Sequence, residues 1–583
     1  MNTTIPNLDA FSPEAQKHIA QVFHKNYDST YKRDTLLFLQ KHPEEVNSAF
    51  STLSFGTGGI RALMGVGSAR LNEYTIEMIT QGLALYLKKQ KKKRLSVFIS
   101  YDNRHHSHFF AKLSAQVLAG NGIDVYLVKN LRPTPLCSFG CRYYGCNAGI
   151  MITASHNAPE YNGYKVYWSD GAQVTEPHDQ GIMQAISTIE GPEEVLRANI
   201  KNPRIHWVDH TLDQAYFQEA KTLFSKMFGR KARKSRLRIV YSNLHGTGIT
   251  IIPTVLEQLG FSELFYVKEQ LPPDPQFSAA ENPNPEELHA LQLGVDLMVK
   301  KADLFLATDP DADRIGVIAM HDKTPIRFSG NQVACLCLDF LLHNKESFPK
   351  NPAFIKSLVT TDLFSTMCKA HGYPCYEVPT GFKYIAEKIA AWDTSKEHSF
   401  VFGAEESLGY LLGSFVRDKD AAIAAGLIAL VTEDAKKQNL SLYALLKKIY
   451  ASYGVYREKL LSFSFSIDQE PLMKGAMEEL RKHPKRLSKK QTLWKIEDYE
   501  KGIVVDLIHK TEQPLAKKSA GMLRYTFQEF CSVTLRISGT EPKIKSYLSS
   551  HRKEFASVDE AIKDCDHDLD SLEEEVRSFF RID

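Results

Sequence analysis

The feature that most constrains the fold of this chain is a recurring order of apolar strand, polar loop and helix. This order predicts largely parallel sheets covered by helices, with functional loops at the carboxyl ends of the strands. The predicted strands are Leu95–Ser100, Ile123–Val128, Gly149–Ile152, Arg236–Tyr241, Ala302–Thr308, Lys356–Thr360 and Ser399–Phe402. They fall into three stretches, which we interpret as an internal structural repeat.

The chain has 583 residues, more than one hydrophobic core supports, so several domains are expected. Its first fifty residues are polar and helix-prone, and from about residue 455 mixed-charge helical patterns alternate with short strands. We predict an α/β protein with three similar mixed-sheet domains and a smaller C-terminal α+β domain around a central cleft. The predicted bounds are 1–205 with the helical lead-in, 206–327, 328–454 and 455–583.

Composition excludes several classes of function. A formal charge of only +3 provides no bulk attraction to nucleic acid or to anionic membranes. The longest apolar stretch, Ala421–Val431, is shorter than the about 20 residues of a spanning helix, and Met1–Ala10 does not resemble a signal peptide. The 9 cysteines lack a C-x-x-C spacing and favour reduced thiols over zinc or disulfides. We expect a cytoplasmic protein without nucleic-acid or membrane partners.

Three aspartates alternate with other residues directly after a predicted strand, in Asp309–Arg314. Alternate residues of an extended loop can direct hard carboxylate oxygens at one divalent cation. An EF-hand is excluded because Arg314 stands where Gly is required and Met320 stands where Glu is required. A solvated acidic turn would leave three carboxylates repelling one another, so the loop favours a metal site.

A second loop, Thr153–Asn157, follows the strand Gly149–Ile152 and is predicted to present the hydroxyl of Ser155. A serine hydroxyl is a weak nucleophile unless it is activated or already modified, and an ordinary hydrogen-bonded loop is the alternative. A serine hydrolase using Ser155 and His156 is disfavoured. No G-x-S-x-G motif surrounds the serine, and adjacent residues rarely face each other as nucleophile and base.

Two further loops carry polar groups. Arg536–Lys543 offers a guanidinium, two hydroxyls, a glycine and a lysine, which suit a phosphate dianion or form a purely structural turn. Gly403–Ser407 offers paired carboxylates and a hydroxyl. These groups bind sugar hydroxyls, perform acid–base work, or face solvent.

Together these four loops, in their order and spacing, resemble the signature loops of the α-D-phosphohexomutase superfamily over nearly the whole chain. Four supporting stretches are most similar to its long bacterial phosphoglucomutase/phosphomannomutase branch, which also resembles the animal phosphopentomutases. These stretches are Phe55–Arg61, Asn162–Tyr167, Pro379–Lys383 and Arg417–Asp420. Ala158 and Ala404 depart from the residues usual in the family.

The resemblance implies a mutase that interconverts hexose 1-phosphate and hexose 6-phosphate, with glucose as the favoured sugar. The route would use an active-site phosphoserine and a bisphosphorylated sugar. Phosphomannomutase or phosphopentomutase activity by the same mechanism, or a non-catalytic sugar-phosphate-binding protein, are the alternatives. One Mg²⁺ per subunit, glucose 1,6-bisphosphate as activator, a small-molecule sugar phosphate as partner, and a monomer or homodimer are also implied.

The resemblance also assigns roles to individual residues. The implied catalytic residues are Ser155, His156, Lys165, Arg61 and Arg314. The implied metal ligands are Asp309, Asp311, Asp313 and an oxygen on Ser155. The implied substrate contacts are Arg104, Thr380, Gly381, Glu405, Ser407, Lys419, Arg536, Ser538, Gly539 and Thr540.

Overall fold

The fold is taken from a computed structural model, which describes residues 7–53, 59–90, 92, 94–229, 234–344, 348–465, 469–488, 491–515, 518–527, 530–538 and 543–580. The chain forms two compact units. Unit 1 comprises Met1–Arg327, Ala386–Lys396 and Gly409–Leu430. Unit 2 comprises Phe328–Ile385, Glu397–Leu408 and Val431–Asp583. The four domain bounds proposed from the sequence remain predictions.

The helices in the described residues are α1 (Pro13–His24), α2 (Ser29–Lys41), α3 (Val46–Ala49), α4 (Glu73–Lys89), α5 (Ser107–Gly120), α6 (Thr134–Tyr143), α7 (His178–Ser187), α8 (Thr211–Phe228), α9 (Ile252–Gln258), α10 (Leu288–Lys301), α11 (Gly330–His343), α12 (Asp362–Ala370), α13 (Phe382–Ser395), α14 (Ala421–Lys437), α15 (Leu442–Tyr453), α16 (Glu470–Lys482) and α17 (Val558–Phe580). Of these helices, none combines the length and the apolar character needed to cross a bilayer.

The strands in the described residues are β1 (Ile60–Leu63), β2 (Ser96–Tyr101), β3 (Asp124–Val128), β4 (Ala148–Ile152), β5 (Tyr161–Trp168), β6 (Ile205–Val208), β7 (Arg238–Ser242), β8 (Glu263–Tyr266), β9 (Leu304–Thr308), β10 (Ile315–His321), β11 (Thr324–Phe328), β12 (Pro352–Ser357), β13 (Cys375–Val378), β14 (Ser399–Glu405), β15 (Gly409–Leu412), β16 (Val455–Ser464), β17 (Leu493–Asp498), β18 (Ile503–Asp506), β19 (Thr511–Pro514), β20 (Met522–Phe527), β21 (Cys531–Ile537) and β22 (Lys543–Arg552).

The N-terminal lead-in is helical, as the sequence predicts. Side chains cap the first two helices: the Ser12 hydroxyl accepts from the Ala15 N–H, and the Asp28 carboxylate accepts from the Tyr31 N–H. Such caps satisfy amide donors that have no partner inside the helix. The apolar faces of α1 to α3 then form one small core, which contains Ala15, Ile19, Val22, Leu39, Val46, Ala49 and Phe50.

The first sheet of unit 1 has the strand order β1-β5-β4-β2-β3-β6. Strands β4, β2, β3 and β6 pair in parallel, whereas β5 pairs antiparallel with both β4 and β1. Every residue of β4 is buried, which fits the continuous apolar run of a parallel strand. The carboxyl ends of β2 and β4 therefore lie at one edge, and the loop that contains Ser155 begins there.

The second sheet of unit 1 has the order β11-β10-β9-β7-β8, with β9 parallel to β7 and antiparallel to β10. The register pairs Thr308 with Ile315, so the loop Asp309–Arg314 joins two antiparallel neighbours. The sequence pattern predicted a helix after such a loop, and that expectation is wrong for this loop. Strand β10 is apolar and buried like β9, and periodicity alone does not separate such a strand from a buried helix.

In unit 2, β12 pairs in parallel with β13 and β14. Strand β12 covers Pro352–Ser357, several residues before the predicted Lys356–Thr360. The predicted strand begins too late, at Lys356, which lies next to the last residue of β12. The side chain is fully buried and its ammonium pairs with Asp362 and Glu377, so the charge is accommodated inside the strand.

The C-terminal part of unit 2 is an α+β domain, as predicted. Its seven strands form one sheet of order β16-β22-β21-β20-β17-β18-β19, and all neighbouring pairs are antiparallel. Alternate residues of β21 and β22 enter a core that also contains residues of α16 and α17. Arg536 and Ser538 lie at the end of β21.

We predict that Gly82→Ala destabilises unit 1 even though Ala favours helices. Gly82 lies in α4, and a Cβ there would come within 2.8 Å of the backbone N and Cα of Ile186 in α7. Backbone atoms cannot move aside as a side chain can, so we expect a loss of about 1–3 kcal/mol in the free energy of unfolding. Chemical denaturation followed by circular dichroism measures it.

The matched control is Gly475→Ala in the exposed part of α16, where a new Cβ would meet nothing within 4 Å. Helix propensity alone should make that variant more stable by up to about 1 kcal/mol. An equal gain in both variants would contradict the close packing of α4 on α7.

Candidate active site

Ser155 has an unusual backbone conformation for a residue with a side chain. Its φ is +54°, in the left-handed region, and its N–H donates to the Thr153 hydroxyl at 2.8 Å. The side chain is buried, with the residue 1% exposed, so the sequence expectation of a presented hydroxyl is wrong for this structure. The strained turn directs the hydroxyl toward the loop that follows β9.

The Ser155 hydroxyl lies between two side chains. Its Oγ is 2.6 Å from Asp309 Oδ2 and 3.2 Å from His156 Nδ1. The expectation that Ser155 and His156 do not face each other is therefore wrong, because the positive φ turns the two neighbours together. A hydroxyl has one hydrogen. If it donates to Asp309 at the shorter distance, Oγ accepts from His156, which is opposite to the role of a base in a hydrolase.

Arg104 holds the backbone of the serine loop. Its guanidinium donates to the carbonyl oxygens of Ser155, Asn157, Ala158 and Tyr161, at distances of 2.5 to 3.0 Å. The residue is 3% exposed. The described contacts thus orient the loop, and the substrate contact expected for Arg104 remains a prediction.

The three aspartates of the loop Asp309–Arg314 converge. Each offers a carboxylate oxygen within 4.8 Å of the other two, and all three residues are buried. The fold of the loop is set by Asp309, whose Oδ1 accepts from the backbone N–H groups of Asp313 and Arg314 at 3.1 and 3.0 Å. This local hydrogen bonding closes the loop and brings alternate side chains to one side.

Burial of these carboxylates perturbs their protonation. Desolvation, with the charges of Asp311 and Asp313, raises the pKa of Asp309 well above its ordinary value. Desolvation also raises the pKa of Asp313, but the ammonium groups of Lys419 and Lys165 outweigh it, so its net pKa is well below the ordinary value. Asp309 and Asp313 therefore differ strongly in their tendency to ionise.

Two lysines neutralise part of this negative charge. Lys165 Nζ lies 2.7 Å from Asp311 Oδ2 and 3.3 Å from Asp313 Oδ2, and Lys419 Nζ lies 3.1 Å from Asp313 Oδ2. Lys165 is fully buried on β5, and Lys419 lies in the loop between β15 and α14. The site thus combines three carboxylates with two ammonium groups.

Two arginines lie at the same site. Desolvation lowers the pKa of Arg61, and the nearby charge of Arg314 lowers it further. Arg61 donates to the Asn157 side chain at 3.2 Å, while its buried Nε has no hydrogen-bond partner among the described residues. Two adjacent guanidinium groups repel each other, so they favour an anion between or beside them.

The donor set of the three aspartates fits a divalent metal ion. One oxygen of Asp311 and one of Asp313, the Oδ1 atoms, are buried without a hydrogen-bond partner in the described part of the chain. Buried carboxylate oxygens without partners are unfavourable, and a hard cation is the ligand that such oxygens satisfy best. The metal role of the triad therefore has support from both geometry and charge.

Two neighbouring loops fix the acidic loop. Thr134, the first residue of α6, donates its hydroxyl to Asp311 Oδ2 at 2.7 Å and its N–H to the Asp311 carbonyl at 2.9 Å. Thr247 donates its N–H and its hydroxyl to the Pro310 carbonyl, at 2.7 and 2.8 Å. Thr134 was not predicted as a site residue from the sequence.

The predicted sugar loop lies in unit 2. Glu405 ends β14, is 5% exposed, and accepts from the Gly381 N–H at 2.7 Å. The hydroxyl of Thr380 is buried and, within the described residues, has no hydrogen-bond partner. Ser407 is half-buried in the turn after β14. The hydrogen bond between Gly381 and Glu405 therefore brings the loops Pro379–Lys383 and Gly403–Ser407 together, and their substrate role remains a prediction.

The predicted phosphate loop is described only in part. Arg536 and Ser538 are half-buried at the end of β21, and the Ser538 N–H donates to the Lys543 carbonyl at 2.8 Å. Gly539 and Thr540 lie outside the described residues. Unit 1 therefore brings together Ser155, the three aspartates, Lys165 and Lys419, and the described residues of the predicted sugar and phosphate loops belong to unit 2.

Comparison with known proteins relates this arrangement to one family. Profiles for the phosphoglucomutase/phosphomannomutase α/β/α domains I, II and III match residues 52–193, 214–322 and 329–453. A Staphylococcus haemolyticus phosphoglucomutase is 37% identical over 516 residues, which cover 88% of this chain and 92% of that protein. A Staphylococcus epidermidis phosphoglucomutase is 34% identical over 531 residues, which cover 90% of this chain and 95% of that protein.

The fold is also similar to that of solved structures. A phosphoglucomutase/phosphomannomutase family protein from Burkholderia thailandensis aligns with a TM-score of 0.63 and 17% identity. The alignment covers 90% of this chain and 97% of that one. At this identity the likeness concerns the fold.

We predict that a divalent cation stabilises the protein through the triad. With MgCl₂ as the probe, the free energy of unfolding should rise by about 2.7 kcal/mol when the cation is at 100 times its Kd, since only the folded state assembles the site. Thermal unfolding with and without MgCl₂ measures this shift. Asp311→Asn removes one anionic ligand and should reduce the shift.

Glu44→Gln is the control. His42, Glu44 and Glu45 form another group of potential metal ligands, and this group is largely exposed. This variant should keep the full shift. Equal shifts in the wild type and in Asp311→Asn would contradict a cation at the triad.

Proposed function

This chain belongs to the phosphoglucomutase/phosphomannomutase family, and on that premise we propose that it interconverts glucose 1-phosphate and glucose 6-phosphate. The family assignment extends over most of the chain, and the two staphylococcal relatives are phosphoglucomutases at 34% and 37% identity. The proposal gives Ser155 the role of phosphoryl carrier. It assigns metal binding to the three aspartates, charge stabilisation to the lysines and arginines, and substrate binding to the residues of the predicted sugar and phosphate loops.

The observation that carries the proposal is the position of the Ser155 hydroxyl. It lies 2.6 Å from an oxygen of the acidic triad, in a buried site that also contains two lysines and two arginines. A phosphoryl group on this oxygen would therefore lie in a buried site where four cationic side chains accompany the three carboxylates. Charge stabilisation of this kind supplies most of the catalysis in phosphoryl transfer.

The proposed reaction has two transfers. In the first, the bond between phosphorus and the Ser155 oxygen breaks as a hydroxyl of the sugar monophosphate forms a new phosphoester bond. The hydroxyl loses its proton and the Ser155 oxygen gains one. The sugar bisphosphate then returns its other phosphoryl group to Ser155 by the reverse step. Glucose 1,6-bisphosphate added from outside would phosphorylate Ser155 in the same way and would thus act as an activator.

Each cationic residue has a defined task in this scheme. Lys165 and Lys419 already share Asp313, so they hold their charges close to the acidic loop. Arg61 and Arg314 would stabilise the equatorial phosphoryl oxygens, since guanidinium groups match the geometry of phosphate. His156 lies 3.2 Å from the Ser155 oxygen and can donate to it.

The triad would hold Mg²⁺ through Asp309, Asp311 and Asp313, with an oxygen on phosphorylated Ser155 as a further ligand. When bound, the metal ion would neutralise part of the negative charge of the phosphoryl group. Carboxylate oxygens suit Mg²⁺, which is usually bound by few protein ligands.

We propose that unit 2 provides the contacts to the rest of the substrate. The Thr380 hydroxyl and the Glu405 carboxylate would bind sugar hydroxyls, since Glu405 is oriented by Gly381 and Thr380 has an unused donor within the described residues. Ser407 would add a contact from the same turn. Arg536 and Ser538, with Gly539 and Thr540, would bind the phosphate that does not react.

The protein would work in the cytoplasm on small-molecule sugar phosphates. The nine cysteines are free thiols in the structure, consistent with a reducing compartment. An assay with glucose, mannose and pentose 1-phosphates tests the choice of sugar, and glucose is the expected substrate.

We predict that Ser155→Ala abolishes mutase turnover and removes the covalently bound phosphate. The change deletes the hydroxyl that would carry the phosphoryl group. A coupled assay with glucose 1-phosphate measures turnover, and intact mass spectrometry after incubation with glucose 1,6-bisphosphate measures phosphorylation. Ser114→Ala is the matched control, because Ser114 is a buried serine of α5 whose described hydrogen bonds go to Thr80 and Phe110. Turnover by Ser155→Ala would contradict the proposed relay.

We predict that Arg536→Ala raises KM for the sugar phosphate and also lowers kcat. The lost guanidinium weakens binding at the non-reacting phosphate, and that binding also orients the reacting end. A charge-assisted pair is worth roughly 1.5–3 kcal/mol, so kcat/KM should fall about 10- to 100-fold. Arg577→Ala, on the exposed face of α17, is the control and should leave both constants unchanged. An unchanged kcat/KM for Arg536→Ala would remove Arg536 from the site.

A further inference from the structure

Asp418 is a buried carboxylate in the loop between β15 and α14. The residue is 1% exposed, and each of its oxygens has two described hydrogen bonds. Oδ2 accepts from the Tyr167 hydroxyl at 2.8 Å and from the Gln173 amide at 2.6 Å. Oδ1 accepts from the backbone N–H of Lys419 at 2.8 Å and from its ammonium at 3.2 Å. A charged group with this many donors is held in one orientation.

The two oxygens of Asp418 have separate partners. Neutral donors of Tyr167 and Gln173 fix Oδ2, and both residues belong to the first sheet and its following turn. This leaves Oδ1 directed at Lys419. Because the carboxylate is planar, fixing one oxygen also fixes the other. The Lys419 ammonium therefore faces an anion whose position is set by β5.

The Lys419 ammonium also contacts the acidic triad. It lies 3.1 Å from Asp313 Oδ2, and Lys165 approaches the same oxygen at 3.3 Å. Lys165 and Tyr167 are two residues apart on β5, so their side chains leave the strand on the same face. A closed ring of contacts results, which passes from Asp313 through Lys165, β5, Tyr167, Asp418 and Lys419 back to Asp313.

The aliphatic stem of Lys419 packs against Gly409. A Cβ at Gly409 in β15 would lie 2.3 Å from Lys419 Cδ, so the absence of a side chain at Gly409 makes room for the stem. A lysine stem has four rotatable bonds, and ordering it costs side-chain entropy. Packing against Gly409 restricts the stem, but the ammonium direction still depends on the groups it meets.

We propose that Asp418 is a positioning residue, which holds the Lys419 ammonium beside Asp313 for the reaction at Ser155. The assignment rests on the proposed mutase function, in which Lys419 acts on the substrate. Asp418 itself acts through Lys419. Without its negative charge, the ammonium keeps Asp313 as a partner but loses the fixed acceptor on its other side, and it samples more directions.

A structural role alone is the competing explanation, and the same loop provides a comparison for it. Asp420 is also buried, accepts from the Tyr216 hydroxyl at 2.7 and 2.9 Å, and caps α14 through the N–H groups of Ala422 and Ile423. Its described contacts do not include Lys419. Asp420→Asn therefore tests what loss of a buried carboxylate does to the loop alone, and it should lower the unfolding temperature.

The central test is a double-mutant cycle with Asp418→Asn and Lys419→Met, assayed with glucose 1-phosphate. Each single change should lower kcat about 10- to 100-fold, with a smaller effect on KM, since an interaction with a charged partner is lost. In the Lys419→Met background, Asp418→Asn should cause no further loss. Losses that multiply in the double variant would overturn the proposal.

A gentler variant keeps the test decisive if Asp418→Asn folds poorly. Tyr167→Phe removes one of the two donors to Oδ2 and leaves Gln173 in place. We expect a several-fold lower kcat in the wild-type background and no effect in the Lys419→Met background. An equal effect of Tyr167→Phe in both backgrounds would overturn the proposal.

Crystal structures of the wild type and Asp418→Asn provide a readout that does not depend on activity. The proposal requires that the Lys419 ammonium leave its position beside Asp313 in the variant, and an unchanged ammonium position would overturn it. If the wild type converted none of the three sugar phosphates, the proposed function would fail, whereas the crystal structures would still decide whether Asp418 positions Lys419.

Discussion

The constraint on which the unit 1 site depends is the burial of three carboxylates in one short loop. Negative charges that are removed from water and placed a few ångströms apart are strongly unfavourable unless cations accompany them. Cationic side chains from three parts of the chain provide this compensation: Lys165 lies on β5, Lys419 precedes α14, and Arg61 lies on β1. The same positive charges that stabilise the acidic loop also create an environment suited to a phosphoryl group. Stability of the loop and the proposed chemistry at Ser155 thus have one electrostatic origin.

Much of this arrangement is visible in the sequence pattern. Short apolar runs that end in polar residues located β4, β9 and β14, and the triple aspartate indicated a cation site. The pattern could not show whether a strand or a helix comes after each loop, because a buried antiparallel strand such as β10 has the same apolar composition as a buried helix. Nor could it show that the Lys356 ammonium is fully buried. Its partners, Asp362 and Glu377, become neighbours only through the fold.

Side-chain partners were the least predictable part of the site. Adjacent residues such as Ser155 and His156 diverge in most backbone conformations, and only the positive φ of Ser155 brings them together. Thr134 lies far from Asp311 in sequence, and no local pattern connects the two. The contacts of Asp418 were predictable only in part. Its place directly before Lys419 was visible, but its bonds to Tyr167 and Gln173 depend on the packing of β5.

The left-handed backbone at Ser155 has a consequence for how this protein can change over evolution. A residue with a Cβ pays roughly 1–2 kcal/mol in that region, whereas glycine adopts it freely. Substitution by glycine would therefore relieve strain and make the fold more robust, at the expense of the hydroxyl. Selection for thermal robustness alone would drive the position toward glycine, whereas the proposed role of phosphoryl carrier requires the serine hydroxyl. A homologue with glycine at this position would be a candidate for a descendant that has kept the architecture and abandoned the reaction.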